Sequence, residues 1–184
     1  RGQRGDIHVV PLLSLACGRA TRLGSISENI PKYIMPISKT QVFADIHLKW
    51  AADQGFRKVI LSIGWLGHMV TDHCGDGSKW GLHIDYMEDG SQPLGTGGAV
   101  RKALQFPFTT LAITYGDTLL KLPAKQLIQT LANSKTRALL CIFKNTVPGH
   151  VCNSELEGPL VVYSNSHPKP EWQYIDYWFM LLKR

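Results

Sequence analysis

Cysteine is scarce in this chain of 184 residues, which has four cysteines at wide spacing. Cys17, Cys74, Cys141 and Cys152 form no C-x-x-C pair, the spacing that many structural zinc sites and redox motifs use. A zinc site and a disulfide framework are therefore disfavoured. We expect free thiols in a reducing compartment, which indicates a cytoplasmic protein.

The sequence also lacks an apolar run long enough to cross a membrane, which takes about 20 residues. Its first apolar segment follows Arg1 and Arg4 and ends at Ala16, so it resembles an export signal in outline. However, Asp6 interrupts the basic part and Pro11 lies within the apolar part. We therefore expect no membrane partner, and we predict that this segment is the first strand of a domain.

Charged residues make up only 18% of the chain, and no run of Lys or Arg occurs among them. The net charge is nevertheless +6, which favours an anionic partner. Nucleic acid is disfavoured, because basic residues are not interleaved with aromatic ones. Small phosphorylated ligands fit this composition better, and the hydrophobic content of 44% is typical of a globular protein.

Apolar runs typical of strands alternate with segments of helical spacing. We predict strands at residues 8–16, 58–64, 82–86, 110–115, 137–144, 160–163 and 174–182, and helices at 42–55, 66–74, 97–104 and 123–132. This alternation predicts an α/β fold whose mostly parallel sheet is covered on both faces. The length predicts a single domain over residues 1–184.

The predicted first strand leads into a loop of small and cationic residues. Arg19 and Arg22 lie in this loop, and Pro31-Lys32 ends it. Backbone N–H groups in a tight turn form an anion-binding nest, and Arg and Lys add full positive charge. Since ligands dock at the carboxyl ends of strands in such sheets, this loop is a candidate polyphosphate site.

Three pieces of the sequence resemble the sugar nucleotidyltransferases. LACGRATRL, from Leu15, with the later Pro31-Lys32 is similar to the signature L-A-G-G-x-G-T-R-L…P-K. Leu94–Val100 resembles L-G-T-A-G-A-L, and Tyr115–Asp117 resembles N-G-D. The chain looks most like the short D-glycero-D-manno-heptose 1-phosphate guanylyltransferases. The resemblance implies a Rossmann-like three-layer sandwich of the nucleotide-diphospho-sugar transferase type.

The resemblance also implies a reaction. A sugar 1-phosphate, with the heptose favoured, would attack a nucleoside triphosphate, with GTP favoured, and pyrophosphate would leave. Arg22 and Lys32 would bind the phosphates, and Asp117 would be the ligand of a Mg²⁺ cofactor.

Further binding roles follow from the same matches. The resemblance implies nucleotide contacts by Leu15, Ala16, Gly18, Thr21, Gly95, Thr96 and Gly97. Gly116 and Asp176 would contact the sugar, and residues 149–184 would form a sugar-facing subregion of the domain.

The chain departs from the family pattern at several positions. Cys17 and Ala20 stand where the signature has Gly, and Trp178 stands where the family tends to have Gly near the acceptor sugar. Family members continue for a few dozen residues and carry a second metal-binding Asp, for which only Asp176 offers a counterpart.

Three hypotheses stay open on these grounds. The chain is an active nucleotidyltransferase, an impaired paralogue that binds nucleotide or sugar phosphate as a regulatory subunit, or an unrelated α/β phosphate-binding domain. Self-association into a homo-oligomer is left open as well.

Overall fold

The computed structural model describes residues 5–18, 29–90 and 94–184. The strands of this part are β1 Leu12–Leu15, β2 Lys58–Ile63, β3 His83–Glu88, β4 Thr110–Tyr115, β5 Ala138–Lys144, β6 Ser154–Glu157, β7 Leu160–Tyr163 and β8 Tyr174–Lys183. The α-helices are α1 Phe43–Gln54, α2 Gly67–Cys74, α3 Gly95–Ala103 and α4 Ala124–Asn133. Short 3₁₀-helices lie at Ile7–Val9, Lys32–Ile34 and Ser78–Trp80.

All eight strands join one sheet, in the order β3-β2-β1-β4-β8-β6-β7, with β5 also paired to β8. The strands β3, β2, β1 and β4 run parallel, and β1 lies between β2 and β4. Strand β8 runs antiparallel to both β4 and β5, and β6 and β7 form a hairpin. The predicted sheet is confirmed, with its parallel half formed by the first part of the chain.

Helices cover both faces of the sheet and make three layers. Leu12 of β1 points into a core shared with α1, α2 and α4, whereas the next residue, Leu13, points into a second core shared with α3. Both side chains are fully buried. A strand buried on both faces needs apolar residues at consecutive positions, and for this reason the apolar run at β1 predicts a strand.

The first strand is shorter than predicted, because the residues before it form a different structure. Ile7–Val9 is a 3₁₀-helix, in which the carboxylate of Asp6 accepts a hydrogen bond from the backbone N–H of His8. Leu12–Leu15 alone forms the strand. The apolar run of residues 8–16 therefore contains two elements. Strand β6, Ser154–Glu157, is not predicted, because its sequence lacks the alternation of apolar and polar residues that marks a strand.

Among the described residues, no helix combines the length and the apolar character that a membrane crossing would require.

Candidate active site

A pocket of about 180 Å³ opens where β1 and β4 end. Parallel neighbours end at the same edge of a sheet, so the loops that follow them meet there. The pocket is lined by Leu15, Ala16, Cys17, Gly18, Lys32, Tyr33, Gly95, Thr96, Tyr115, Gly116 and Asp117. The three motifs singled out in the sequence therefore converge on one cavity.

Lys32 and Asp117 lie in direct contact across this pocket. Lys32 Nζ donates to Asp117 Oδ2 at 2.6 Å, although the two residues are 85 positions apart. Each side chain is 41% exposed, so both can be reached by a ligand from solvent. A cation and a carboxylate thus face the same cavity, as a phosphate-binding site with a metal ligand requires.

The pKa of Asp117 reflects two opposed influences. Partial burial, the largest single influence, acts to raise it. The hydrogen bond and charge of Lys32, together with a hydrogen bond from the Thr118 hydroxyl at 3.1 Å, lower it by more. The pKa of Asp117 therefore lies below its usual value. The carboxylate is charged at neutral pH, which is the state that binds a cation.

The turn that carries Lys32 is anchored from below. Lys32 opens a 3₁₀-helix directly after Pro31, and its neighbour Tyr33 is buried. The hydroxyl of Tyr33 shares a hydrogen bond of 2.9 Å with Nδ1 of His47 on α1. Burial lowers the pKa of His47 to about 4, so this ring is neutral at pH 7. Tyr33 and His47 thus fix the base of the turn without adding charge to the pocket.

Gly116 brings the end of β4 against the backbone of β1. Its N–H donates to the carbonyl of Leu15 at 3.0 Å, and a Cβ at this position would lie 2.9 Å from Cα of Ala16. No larger residue fits without moving a strand. The glycine is therefore required for the packing of these two strands. Gly116 also lines the pocket, and its contact with the sugar stays a prediction.

The first residues of α3 form another wall of the pocket. The Thr96 hydroxyl and the phenol of Tyr115 share a hydrogen bond of 3.0 Å, which ties the start of α3 to the end of β4. Gly95 and Thr96 line the pocket, whereas Gly97, also predicted to contact nucleotide, does not. Helix α3 begins two residues earlier than predicted, which places Gly97 within the helix.

Sequence reasoning missed a buried acidic residue behind the pocket. Asp89 follows β3, is 6% exposed, and accepts a hydrogen bond from the Ser62 hydroxyl at 2.5 Å. Burial and the adjoining Asp89 carboxylate raise the pKa of the Cys17 thiol to about 12. Cys17, which replaces a signature Gly, is therefore a neutral thiol packed into the wall. No sequence signal links these residues, because they lie on three separate strands or loops.

Asp176, predicted to contact the sugar, does not line the pocket. It is buried, and Oδ1 accepts the backbone N–H of Trp178 at 2.8 Å. Burial raises the pKa of this carboxyl. In this structure Asp176 organises the backbone of β8, and its sugar contact stays a prediction.

Two predicted residues of the first loop, Thr21 and the catalytic candidate Arg22, lie outside the described residues, as do Arg19 and Ala20. Within the described ranges, no group of three or more His, Cys, Asp or Glu side chains forms a metal site. Asp117 supplies one hard carboxylate to the pocket, so a bound Mg²⁺ would need further oxygen ligands from the substrate phosphates.

Comparison with known proteins gives matches at the level of family, sequence and fold. A profile of the family described as nucleotidyl transferase matches residues 12–149. The D-glycero-alpha-D-manno-heptose 1-phosphate guanylyltransferase of Campylobacter jejuni is 33% identical over 104 residues, which are 56% of this chain and 46% of that protein. The N-acetylmuramate alpha-1-phosphate uridylyltransferase of Neisseria meningitidis is 30% identical over 90 residues, which are 49% of this chain and 38% of that protein.

The chain thus spans less than half the length of these two curated relatives. Among solved structures, HddC from Yersinia pseudotuberculosis superposes with a TM-score of 0.70 at 24% identity. The superposition covers 95% of this chain and 76% of HddC, which has also been solved in complex with GMP-PN. The Rossmann-like three-layer architecture predicted from the sequence is confirmed by this likeness.

Proposed function

Because the chain belongs to the nucleotidyl transferase family, we propose that it joins a nucleoside triphosphate to a sugar 1-phosphate and releases pyrophosphate. The family predicted from the three motifs is confirmed. The observation that carries the proposal is the contact of Lys32 with Asp117, 2.6 Å apart, in a pocket lined by small residues of all three Gly-containing motifs.

In this reaction an oxygen of the sugar 1-phosphate attacks the α-phosphorus, and the bond to the β-phosphate bridging oxygen breaks. The protein must align these oxygens and stabilise the negative charge that gathers on the phosphates. Lys32 lies where it can supply a charge-assisted hydrogen bond to a phosphate oxygen. Its ammonium has three N–H donors, and the structure shows one of them bonded to Asp117.

Asp117 is the residue that would hold Mg²⁺, which when bound neutralises charge on the phosphates. The carboxylate is suited to that role, because it is ionised and half-exposed. The Gly95–Thr96 segment and the Leu15–Gly18 turn offer a wall of backbone and small side chains against which a flat base can lie.

We propose GTP as the nucleotide and a D-glycero-D-manno-heptose 1-phosphate as the acceptor. The Campylobacter jejuni relative is a guanylyltransferase acting on that class of sugar phosphate, and HddC has been solved with GMP-PN. The Neisseria meningitidis relative is a uridylyltransferase, which makes UTP the first competitor.

A second candidate is a binding subunit without turnover. It is favoured by the single carboxylate that the described residues contribute to the pocket. Such a protein would bind nucleotide or sugar phosphate through Lys32 and regulate a partner.

The test is a panel of the four nucleoside triphosphates against heptose, mannose and glucosamine 1-phosphates, with Mg²⁺ present and pyrophosphate release as the readout. We expect turnover with GTP and the heptose 1-phosphate. Binding by calorimetry without pyrophosphate would instead support the binding subunit. Absence of both binding and turnover would contradict either function.

A further inference from the structure

Trp178 has a backbone conformation that a bulky residue rarely adopts. Its φ is 68°, and in the described ranges only Leu66 shares a positive φ without being glycine. Trp178 also lies inside a strand, β8, where extended backbone is the rule. Strain of this kind persists where the surrounding structure enforces it, and it concentrates at functional sites.

The surrounding structure does enforce it, through a bulge in β8. Leu140 pairs with Met180 and Ile142 pairs with Asp176, so three residues of β8 stand opposite Cys141. The bulge is fixed by Asp176, whose Oδ1 accepts the N–H of Trp178 at 2.8 Å. The N–H of Asp176 in turn donates to Asn153 Oδ1 at 2.9 Å. Bulges beside active sites commonly redirect a side chain.

The redirected side chain lies beside the candidate pocket. The indole of Trp178 packs edge-to-face against the ring of Tyr115, with centroids 4.4 Å apart and an interplanar angle of 77°. Tyr115 itself lines the pocket and bonds to Thr96. Trp178 remains 42% exposed, so part of its ring is free to contact a ligand.

The order of the strands indicates which ligand would lie there. The turn after β1 and the start of α3 carry the proposed nucleotide contacts, and Asp117 follows β4. Strand β8 lies on the side of β4 away from β1. A substrate that extends from Asp117 toward β8 is therefore the acceptor rather than the base.

We propose that Trp178 is a specificity-determining residue whose exposed indole, held by the β8 bulge against Tyr115, packs on the ring of the acceptor sugar. The C–H face of a pyranose is apolar, and a rigid aromatic ring is a suitable partner for it. This assignment rests on the proposed function, since it takes a sugar 1-phosphate as the acceptor.

The test compares Trp178→Gly and Trp178→Phe with the parent protein in KM for the acceptor, KM for the nucleotide, and Tm. We expect Trp178→Gly to raise the acceptor KM about tenfold, as loss of one aromatic contact would. The nucleotide KM stays within about twofold, and Trp178→Phe recovers part of the loss. Tm does not fall, because glycine adopts the positive φ without strain.

A matched control is available on the neighbouring strand. Phe143 of β5 is 40% exposed and packs edge-to-face on Tyr177 with centroids 5.6 Å apart, so Phe143→Ala removes a comparable aromatic pair outside the described pocket lining. We expect it to leave both KM values unchanged. An unchanged acceptor KM in Trp178→Gly, or an equal rise in the nucleotide KM, would overturn the assignment to the acceptor.

Calorimetry with the sugar 1-phosphate and with inorganic phosphate, which lacks the ring, separates this inference from the proposed reaction. If the parent protein binds the sugar 1-phosphate without turnover, the proposed catalysis fails. The role of Trp178 in acceptor binding is still supported if Trp178→Gly binds the sugar 1-phosphate more weakly and inorganic phosphate equally well. Equal sugar-phosphate affinity in parent and variant overturns it. A parent protein that binds neither ligand overturns both proposals.

Discussion

The parallel and antiparallel halves of the sheet differ in burial and in backbone regularity. Strands β1, β2 and β4 lie side by side, parallel and covered on both faces, and their central residues are almost fully buried. Strands β5 to β8 are antiparallel and more open: Leu160 of β7 is 62% exposed. The parallel half has uniform backbone, whereas β8 contains a bulge and a residue at positive φ.

The family match covers the two halves unequally. The family profile matches residues 12–149, which include the parallel half and the Lys32–Asp117 pair. The strained Trp178 and its supporting Asp176 lie beyond that range. Under the proposed function, the parallel half would carry the reaction and the antiparallel half would adapt it to an acceptor.

The largest expected effect tests whether the reaction belongs to the parallel half. Lys32→Ala should lower kcat/KM about a hundredfold or more, because it removes the proposed charge-assisted contact to phosphate. Lys49→Ala removes another exposed lysine, which pairs with Asp53 at 2.8 Å on α1, and should leave kcat/KM unchanged. Equal activity of the two variants would remove Lys32 from the site.

Next in size is a loss of stability in the parallel half. Gly116→Ala places a Cβ 2.9 Å from the backbone of β1 and should lower the free energy of unfolding by about 1–3 kcal/mol, as overpacking does. Gly97→Ala meets no atom within 4 Å and should be neutral or stabilise by up to about 1 kcal/mol. Urea unfolding of the two variants measures this, and a stable Gly116→Ala protein would contradict the close packing of β1 and β4.

A smaller effect of opposite sign is expected in the antiparallel half. Burial raises the pKa of Asp176, so the folded state holds its proton more tightly than the unfolded state does. Stability from this group therefore rises as pH falls from the raised pKa to the ordinary value of 3.8. Asp176→Asn keeps an oxygen for the Trp178 N–H and should raise Tm at pH 7 by about 2 °C. Thermal scans at pH 7 and pH 3 measure this, and a gain of equal size at both values would refute the pKa as its cause.

The smallest expected effect is the change in the free energy of unfolding on substitution of Asp117. Lys32 and Thr118 hold its pKa below 3.8 despite partial burial, so its contribution is complete above pH 3.8 and is lost as pH falls through the lowered pKa. Because both partners are half-exposed, Asp117→Asn should change the free energy of unfolding at pH 7 by less than about 1 kcal/mol. Unfolding curves at pH 7 and pH 3 test this, with Asp53→Asn as the matched exposed control.

Much of the parallel half could be predicted from the sequence, for a physical reason. Strands buried on both faces require unbroken apolar runs, and β2 and β4 are such runs with nearly the predicted bounds. The predicted start of the first strand was wrong, because an apolar 3₁₀-helix and a buried strand have the same composition over so few residues. Strand β6 was missed because hairpin strands in an open region need few apolar residues.

The features of the candidate site also differ in whether the sequence predicts them. The small and charged residues of the three motifs were recognisable along the chain, and most of those described line the pocket. Three other features have no signal in the local sequence. They are the hydrogen bond between Ser62 and Asp89, the buried hydrogen bond between Tyr33 and His47, and the left-handed backbone of Trp178. Each depends on residues brought together from distant segments.

The sequence by itself determined the layered α/β architecture, the family and the composition of the loops, because burial on two faces and tight turns constrain residue type locally. Only the tertiary structure decided that a lysine and an aspartate 85 positions apart share one cavity. It alone decided that Asp176 supports a bulge, because the pairing of β8 with both β4 and β5 fixes where that carboxylate can lie.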